Sequence, residues 1–130
     1  MISTFFILLV GFQLKHFIAD YLLQPSWMVH GKGSLGAMGG YLHAGIHAVA
    51  SALVLLLVGT PLWLIGFLCL VEFVIHYLLD FAKIHYSHGV EERREPARYW
   101  GLFGLDQLLH QLTYVVMIFF ALQAVTGVML

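Results

Sequence analysis

Long apolar stretches separated by short polar connections dominate this chain. A helix needs about 20 apolar residues, at about 1.5 Å per residue, to cross a bilayer core of about 30 Å. Four stretches meet that requirement without an internal proline, and they cover residues 2–24, 40–58, 61–84 and 102–128. The pattern predicts an all-α, polytopic membrane protein with four transmembrane helices in a single domain.

The connections between these stretches predict how the helices pair. Residues 25–39 contain Pro25 and several glycines, and residues 85–101 are rich in charge. The middle connection is only a turn at Gly59 and Thr60. Consecutive helices with connections of these lengths pack as antiparallel neighbours. We therefore expect two helical hairpins, the first with the second helix and the third with the fourth, that form a four-helix bundle.

Composition supports a bilayer environment and excludes some functions. The chain is 61% hydrophobic and 10% charged, with a mean hydropathy of +0.89, which is too apolar for a water-soluble domain of 130 residues. A net charge of -1 provides no basic surface for a phosphate backbone, so we expect no nucleic-acid partner. Cys69 is the single cysteine, so the sequence contains neither a disulfide framework nor a thiolate metal motif.

Most of the basic residues lie in or beside the two longer connections. They are Lys32, Lys83, Arg93, Arg94 and Arg98. The positive-inside rule therefore places the loops 25–39 and 85–101 in the cytoplasm. Both termini and the Gly59 turn are then expected on the non-cytoplasmic side.

A polar motif occurs once in each predicted hairpin. The first and third helices share a histidine followed four positions later by an aspartate and then an aromatic residue, at His16 and Asp20 and again at His76 and Asp80. The second and fourth helices share a polar residue followed four positions later by a histidine, at His43 and His47 and again at Asp106 and His110. This repetition indicates a duplicated hairpin whose pseudo-twofold axis lies along the membrane normal.

The eight motif residues are expected to converge in two layers, since residues four apart lie one turn apart on one helix face. The deeper layer contains His16, His47, His76 and His110. The shallower layer, about 6 Å nearer the cytoplasm at the helical rise, contains Asp20, His43, Asp80 and Asp106.

Buried carboxylates in such a cluster need compensation. Each charge in hydrocarbon costs at least about 2.5 kcal/mol, and neighbouring carboxylates repel one another. A divalent metal would compensate them, and imidazole with carboxylate suits zinc, with iron or manganese as alternatives. We expect all eight side chains to contribute to a site for one or two ions. A proton relay and purely structural hydrogen bonding between helices are the alternatives.

Two further charged residues lie at similar depths in the predicted bundle. Lys15 and Glu72 predict an intramembrane ion pair between the hairpins. The alternative role for Glu72 is that of a catalytic base, because it lies one turn below His76.

Several motifs resemble a known family. The segments HFIADYLLQPSW, LHAGIH, HYLLDFAK and DQLLH, with Lys32 between the first two, resemble the bacterial membrane family catalogued as domain of unknown function 3307. The resemblance covers most of the chain and implies a multi-pass protein of the bacterial inner (cytoplasmic) membrane. It implies no substrate or reaction.

Three classes of function fit these observations, all with membrane lipids as partners. The first is a metal-dependent hydrolase of a lipid-like substrate, with Asp20, Asp80, Asp106 or Glu72 as orienting group or base. The second is a metal-ion or proton transporter, working as a homo-oligomer, because paired His-x-x-x-Asp motifs resemble the intramembrane site of cation diffusion facilitator zinc transporters. The third is a non-catalytic subunit with a structural metal. A lipid groove beside the site favours the enzyme, and a polar path to both faces favours transport.

Overall fold

The computed structural model describes residues 1–127 and is helical throughout its regular structure. Helix α1 (Ile2–Phe17) continues into a π-helical turn (Ile18–Leu22), and the remaining elements are α2 (Ser26–Gly31), α3 (Met38–Leu57), α4 (Leu62–Tyr86) and α5 (Pro96–Thr126). Within these residues, four helices are long and apolar enough to span a membrane: Ile2–Leu22, Met38–Leu57, Leu62–Tyr86 and Pro96–Thr126. The predicted all-α class with four membrane helices is confirmed.

Most described helix ends lie within two residues of the sequence prediction, and the structure differs more in two places. Helix α5 begins at Pro96, six residues before the predicted start at 102, because proline suits the first helical turn, where its missing N–H is not needed. The hydropathy pattern could not show this start, since Arg98 and Tyr99 lower the mean hydropathy of residues 96–101. The first connection, predicted as a loop over 25–39, contains the short helix α2. Residue 128, the predicted end of the fourth span, lies outside the described residues.

The four long helices pack in a ring in which each contacts the next, in the order α1, α3, α4, α5 and back to α1. A tight turn at Gly59, whose φ of 76° suits glycine, joins α3 to α4. Apolar side chains fill the half of the ring nearest this turn. They are Leu8, Phe12, Val54, Leu55, Leu64, Ile65, Leu68, Tyr114, Met117, Ile118 and Ala121. The polar motif residues fill the half nearest the two long connections.

The glycine-rich run after α2 is a close packing surface. A Cβ on Gly39 would lie 2.6 Å from the carbonyl oxygen of Met28, and one on Gly40 would lie 2.9 Å from the Tyr77 ring. A Cβ on Gly33 would similarly lie 2.6 Å from Ile84. These contacts hold the first connection against α3 and α4, so that Lys32 is buried with 8% of its surface exposed.

Candidate metal centre

Four histidines, one from each long helix, form a closed ring inside the polar half of the bundle. The ring centroids are 5.5 Å apart for His16 and His47, 3.9 Å for His47 and His76, 4.3 Å for His76 and His110, and 6.0 Å for His110 and His16. The four-residue spacing in each hairpin turns these side chains inward. The structure therefore brings together the residues of the predicted deeper layer.

The Asp20 carboxylate contacts three histidines from two helices, α1 and α3. Its Oδ1 lies 2.9 Å from His47 Nε2 and 3.2 Å from His43 Nε2, and its Oδ2 lies 3.3 Å from His16 Nε2. Among the described residues, neither lysine nor arginine forms an ion pair with Asp20. Its carboxylate sits at the π-helical turn that ends the first span.

Asp80 also faces three histidines, but it has a lysine as well. The distances to its carboxylate oxygens are 3.5 Å from His43 Nε2, 3.5 Å from His76 Nε2 and 3.8 Å from His110 Nε2. The ammonium of Lys32, reaching in from the first connection, lies 2.8 Å from Asp80 Oδ2. The two aspartates of the repeat thus have similar histidine neighbours and different cationic ones.

Several histidine ring nitrogens beside Asp20 and Asp80 have no well-formed hydrogen bond. Both ring nitrogens of His43 and of His76, and Nε2 of His110, lack a hydrogen bond of good geometry within the described part of the chain, although each Nε2 lies within 3.8 Å of an aspartate oxygen. His43 is fully buried and His76 is 2% exposed. A buried polar atom without a hydrogen bond costs about 1–3 kcal/mol, so these imidazoles need a ligand or a proton to share.

Two overlapping groups of side chains place their ligand atoms within 4.8 Å of one another. The first, which we call the Asp20 set, is Asp20, His43, His47 and His76. The second, the Asp80 set, is His76, Asp80 and His110. A carboxylate with two or three imidazoles is a usual ligand set for zinc, so both sets fit a metal chemically. Only His76 belongs to both.

His16 and Asp106, which the sequence also predicts as ligands, lie outside both sets. His16 Nδ1 is 2.8 Å from the Tyr114 hydroxyl and its Nε2 is 2.9 Å from Gln107 Oε1, so both nitrogens already have hydrogen-bond partners. Asp106 accepts a hydrogen bond of 2.7 Å from Lys83, and its backbone oxygen accepts one of 2.8 Å from His110 Nδ1. Asp106 is thereby placed to orient His110.

The predicted ion pair between Lys15 and Glu72 is present and buried. The Lys15 ammonium also donates to His47 Nδ1 at 3.2 Å and lies 4.1 Å from the centre of the Tyr114 ring. With Nδ1 accepting, His47 directs its Nε2–H at Asp20. To ligate through Nε2, His47 must instead carry its proton on Nδ1, where the Tyr114 oxygen at 3.3 Å can accept it. As a catalytic base, Glu72 stays a prediction.

Lysines provide most of the compensation that the sequence led us to expect from metal. Three buried acids each pair with one lysine: Glu72 with Lys15, Asp80 with Lys32, and Asp106 with Lys83. Four carboxylates and three ammonium groups leave one negative charge when the histidines are neutral. The acid without a lysine is Asp20.

Sequence reasoning missed Lys32, Lys83 and Tyr114 as parts of the site. Two of them had a signal, because Lys83 follows Asp80 by three residues and Tyr114 follows His110 by four, which puts each on the same helix face. Helical periodicity gave no signal for Lys32, because this residue lies in the first connection. Its glycine neighbours were the available hint of close packing.

Comparison with known proteins identifies a family but no characterised relative. Neither a curated protein nor a solved structure matches the chain. The family described as "Protein of unknown function (DUF3307)" matches residues 5–129, which is nearly the whole chain. The chain therefore belongs to the DUF3307 family.

Proposed function

We propose that this protein binds one divalent metal ion, zinc in the first place, through the Asp20 set inside the membrane. The observation that carries the proposal is that nitrogens of His43 and His76 without a good hydrogen bond lie beside Asp20, the acid of the described cluster that has no lysine ion pair. The ion would take up free nitrogen lone pairs and offset the Asp20 charge, which changes the net charge of the cluster from −1 to +1 when all the histidines are neutral.

Elemental analysis tests metal binding directly. Detergent-purified protein, never exposed to an affinity metal or a chelator, is measured by inductively coupled plasma mass spectrometry. We expect about one equivalent of zinc, iron or manganese in the wild type and a loss of about tenfold or more in Asp20→Asn and His76→Gln. His88→Gln is the matched control, because His88 is exposed outside the cluster. Metal-free folded wild-type protein, or equal occupancy in all variants, would overturn the proposal.

We further propose that the bound ion serves hydrolysis of a lipid-like substrate. A groove of about 240 Å³ lies between α4 and α5 and is bordered by apolar side chains such as Leu79, Leu105 and Leu109. The same groove is lined by Lys83 and Asp106, and Asp106 also contacts His110, whose ring lies 4.3 Å from that of His76 in the Asp20 set. An acyl chain in this groove would bring its polar end to the edge of the cluster.

The residues around the groove suit an amphiphile. Lys83 is placed to hold an anionic or carbonyl oxygen, and Asp106 to orient His110 or to accept a proton from an attacking water. When bound, a metal ion lowers the pKa of water and polarises a carbonyl or phosphoryl oxygen. The apolar groove walls would exclude other water molecules from the reacting bond.

The distribution of polar groups favours access from one face of the membrane. The histidines and aspartates lie in the half of the bundle near the long connections, and the apolar core fills the other half. A transport path would need polar groups toward both faces, so the packing favours an enzyme or a structural ion over a transporter. By the positive-inside rule, we place the polar half on the cytoplasmic side of a bacterial inner membrane.

A reconstituted assay tests the reaction. Metal-loaded protein in liposomes of phosphatidylethanolamine and phosphatidylglycerol is incubated with a panel of phospholipid and lysolipid substrates, and products are followed by mass spectrometry. The proposal expects metal-dependent product that Asp20→Asn abolishes and His88→Gln retains. Full metal occupancy with no product from any lipid class would reject hydrolysis of these lipids and favour the structural ion.

A further inference from the structure

Lys32 is the only residue of the first connection that reaches a carboxylate of the cluster within the described structure. Its ammonium lies 2.8 Å from Asp80 Oδ2, and only 8% of the Lys32 surface is exposed. In the duplicated motif, Asp20 is the counterpart of Asp80, and Asp20 has no lysine. Two similar acids therefore differ by one cation that comes from outside the long helices.

The two ligand sets are alternative positions because they share His76. Its ring nitrogens have no hydrogen bonds, and its ring lies between His47 of the first set and His110 of the second. A neutral imidazole has one nitrogen lone pair for a metal, because its other nitrogen carries the proton, so an ion that uses His76 is bound with Asp20 or with Asp80. What distinguishes the positions is the charge already present at each carboxylate.

At Asp80, an incoming metal ion meets the Lys32 ammonium. Two cations on one carboxylate repel each other strongly in a medium of low dielectric constant, and the ammonium already takes one of the carboxylate's lone pairs. At Asp20 no ammonium binds the carboxylate, and Lys15, which contacts His47 Nδ1 at 3.2 Å, is paired with Glu72. The structure thus favours the Asp20 position while Lys32 stays in place.

We propose that His76, Asp80 and His110 form a second, latent metal position, and that Lys32 acts as a built-in cation that keeps the ion at the Asp20 set. This inference rests on the metal-binding function proposed above. Removal of Lys32 from Asp80 makes the Asp80 position available to the same ion.

Backbone packing fixes the place of this lysine. A Cβ on Gly40 of α3 would lie 3.4 Å from the Lys32 Cα, and a Cβ on Gly31 of α2 would lie 3.0 Å from the Gly39 Cα. The ammonium is therefore positioned by the docking of α2 on the start of α3, rather than by a flexible side chain alone. Movement of the ion between the two positions requires Lys32 to leave Asp80, which couples the ion to the first connection.

The test removes the preferred acid and asks which lysine, when also removed, restores binding. Three variants are compared with the wild type: Asp20→Asn, Asp20→Asn with Lys32→Met, and Asp20→Asn with Lys83→Met. The two double variants carry equal net charge and differ only in which acid is left without a lysine. The Lys83 variant frees Asp106, which belongs to neither set.

Metal content is measured by mass spectrometry, and Co²⁺ substitution reports the ligand field by visible absorption. We expect Asp20→Asn to lose about tenfold or more of the metal, the Lys32 double variant to recover it, and the Lys83 double variant to stay empty. Adding Asp80→Asn to the Lys32 double variant is expected to remove the metal again. The recovered Co²⁺ spectrum is expected to differ from that of the wild type.

Recovery in both double variants, or in neither, overturns the inference while leaving the proposed function intact. A wild type without metal overturns the proposed function itself, so the two failures are distinguishable. Lys32→Met leaves Asp80 buried without a cation, and Lys32→Gln provides a second variant that keeps a hydrogen-bond donor. Size-exclusion chromatography and helical circular dichroism establish that each compared variant is folded.

Discussion

The two hairpins carry the same polar positions and neutralise them in different ways. In the first hairpin, the ion-pair partners of Asp20 among the described residues are all histidines. In the second, Asp80 and Asp106 each bond to a lysine. The comparison teaches that a duplicated motif need not give two equal sites, because one cation supplied from elsewhere decides whether an acid is free to bind an ion.

The largest effect is expected at the ion pair that joins the two hairpins. Lys15→Met leaves the fully buried Glu72 without its cation, which should lower the free energy of unfolding by about 3–5 kcal/mol. The double variant Lys15→Met with Glu72→Leu should recover most of that loss, since neither charge is then left buried. Unfolding titrations in detergent measure both, and a double variant no more stable than the single one would contradict this account.

A smaller effect separates the two lysine-paired acids of the second hairpin. Asp80→Asn leaves the buried Lys32 unpaired and should cost about 3 kcal/mol. Asp106→Asn should cost about 1 kcal/mol, because the Lys83 side chain is 31% exposed and can turn to water at the membrane edge. The same unfolding titration compares the two variants. Equal losses would show that the two pairs are equally buried in solution.

Packing of the first connection gives the next effect. Gly39→Ala puts a methyl group 2.6 Å from the backbone oxygen of Met28, so we expect a loss of about 1–3 kcal/mol. Gly45→Ala is the matched control on the same helix, because a Cβ there meets nothing within 4 Å. The control should be neutral or stabilising, since alanine is the better helix former. Thermal denaturation followed by circular dichroism ranks the two.

The smallest effect is expected in the loop of the second hairpin. Glu91 and Arg94 form an ion pair of 3.2 Å between side chains that are 58% and 78% exposed. Because solvent screens such pairs, Glu91→Gln should change the free energy of unfolding by no more than about 0.5 kcal/mol and leave metal content unchanged. A loss of metal on this substitution would show that the loop reaches the cluster.

The membrane helices were predictable because their signal is local. Each span is a continuous apolar stretch, and bilayer thickness sets its length. The ring of His16, His47, His76 and His110 was predictable for a related reason, since four-residue spacing fixes the face of a helix. These features depend on residues close in sequence.

The compensation of charge was not predictable in the same way. Counting acids alone suggested that a metal must neutralise the cluster, whereas Lys32 reaches Asp80 across 48 positions of the chain through glycine contacts that no periodicity shows. The exclusion of His16 from both ligand sets also depends on distant residues, because Tyr114 and Gln107 on α5 occupy its nitrogens. Contacts between residues so far apart in the chain can be recognised only in the folded structure.

The π-helical turn at Ile18–Leu22 gives the two acid-bearing helices different backbone geometry at their aspartates. Its backbone closes with a hydrogen bond of 3.0 Å from Leu23 N to the Ile18 carbonyl, spanning five residues, whereas Asp80 lies in the uninterrupted α-helix α4. A π turn holds about one residue more than an α-helical turn, so the side chains within it depart from the α-helical register. Asp20, the acid left for an ion, therefore points in a direction that a regular α-helix would not give it, whereas Asp80 keeps the α-helical direction.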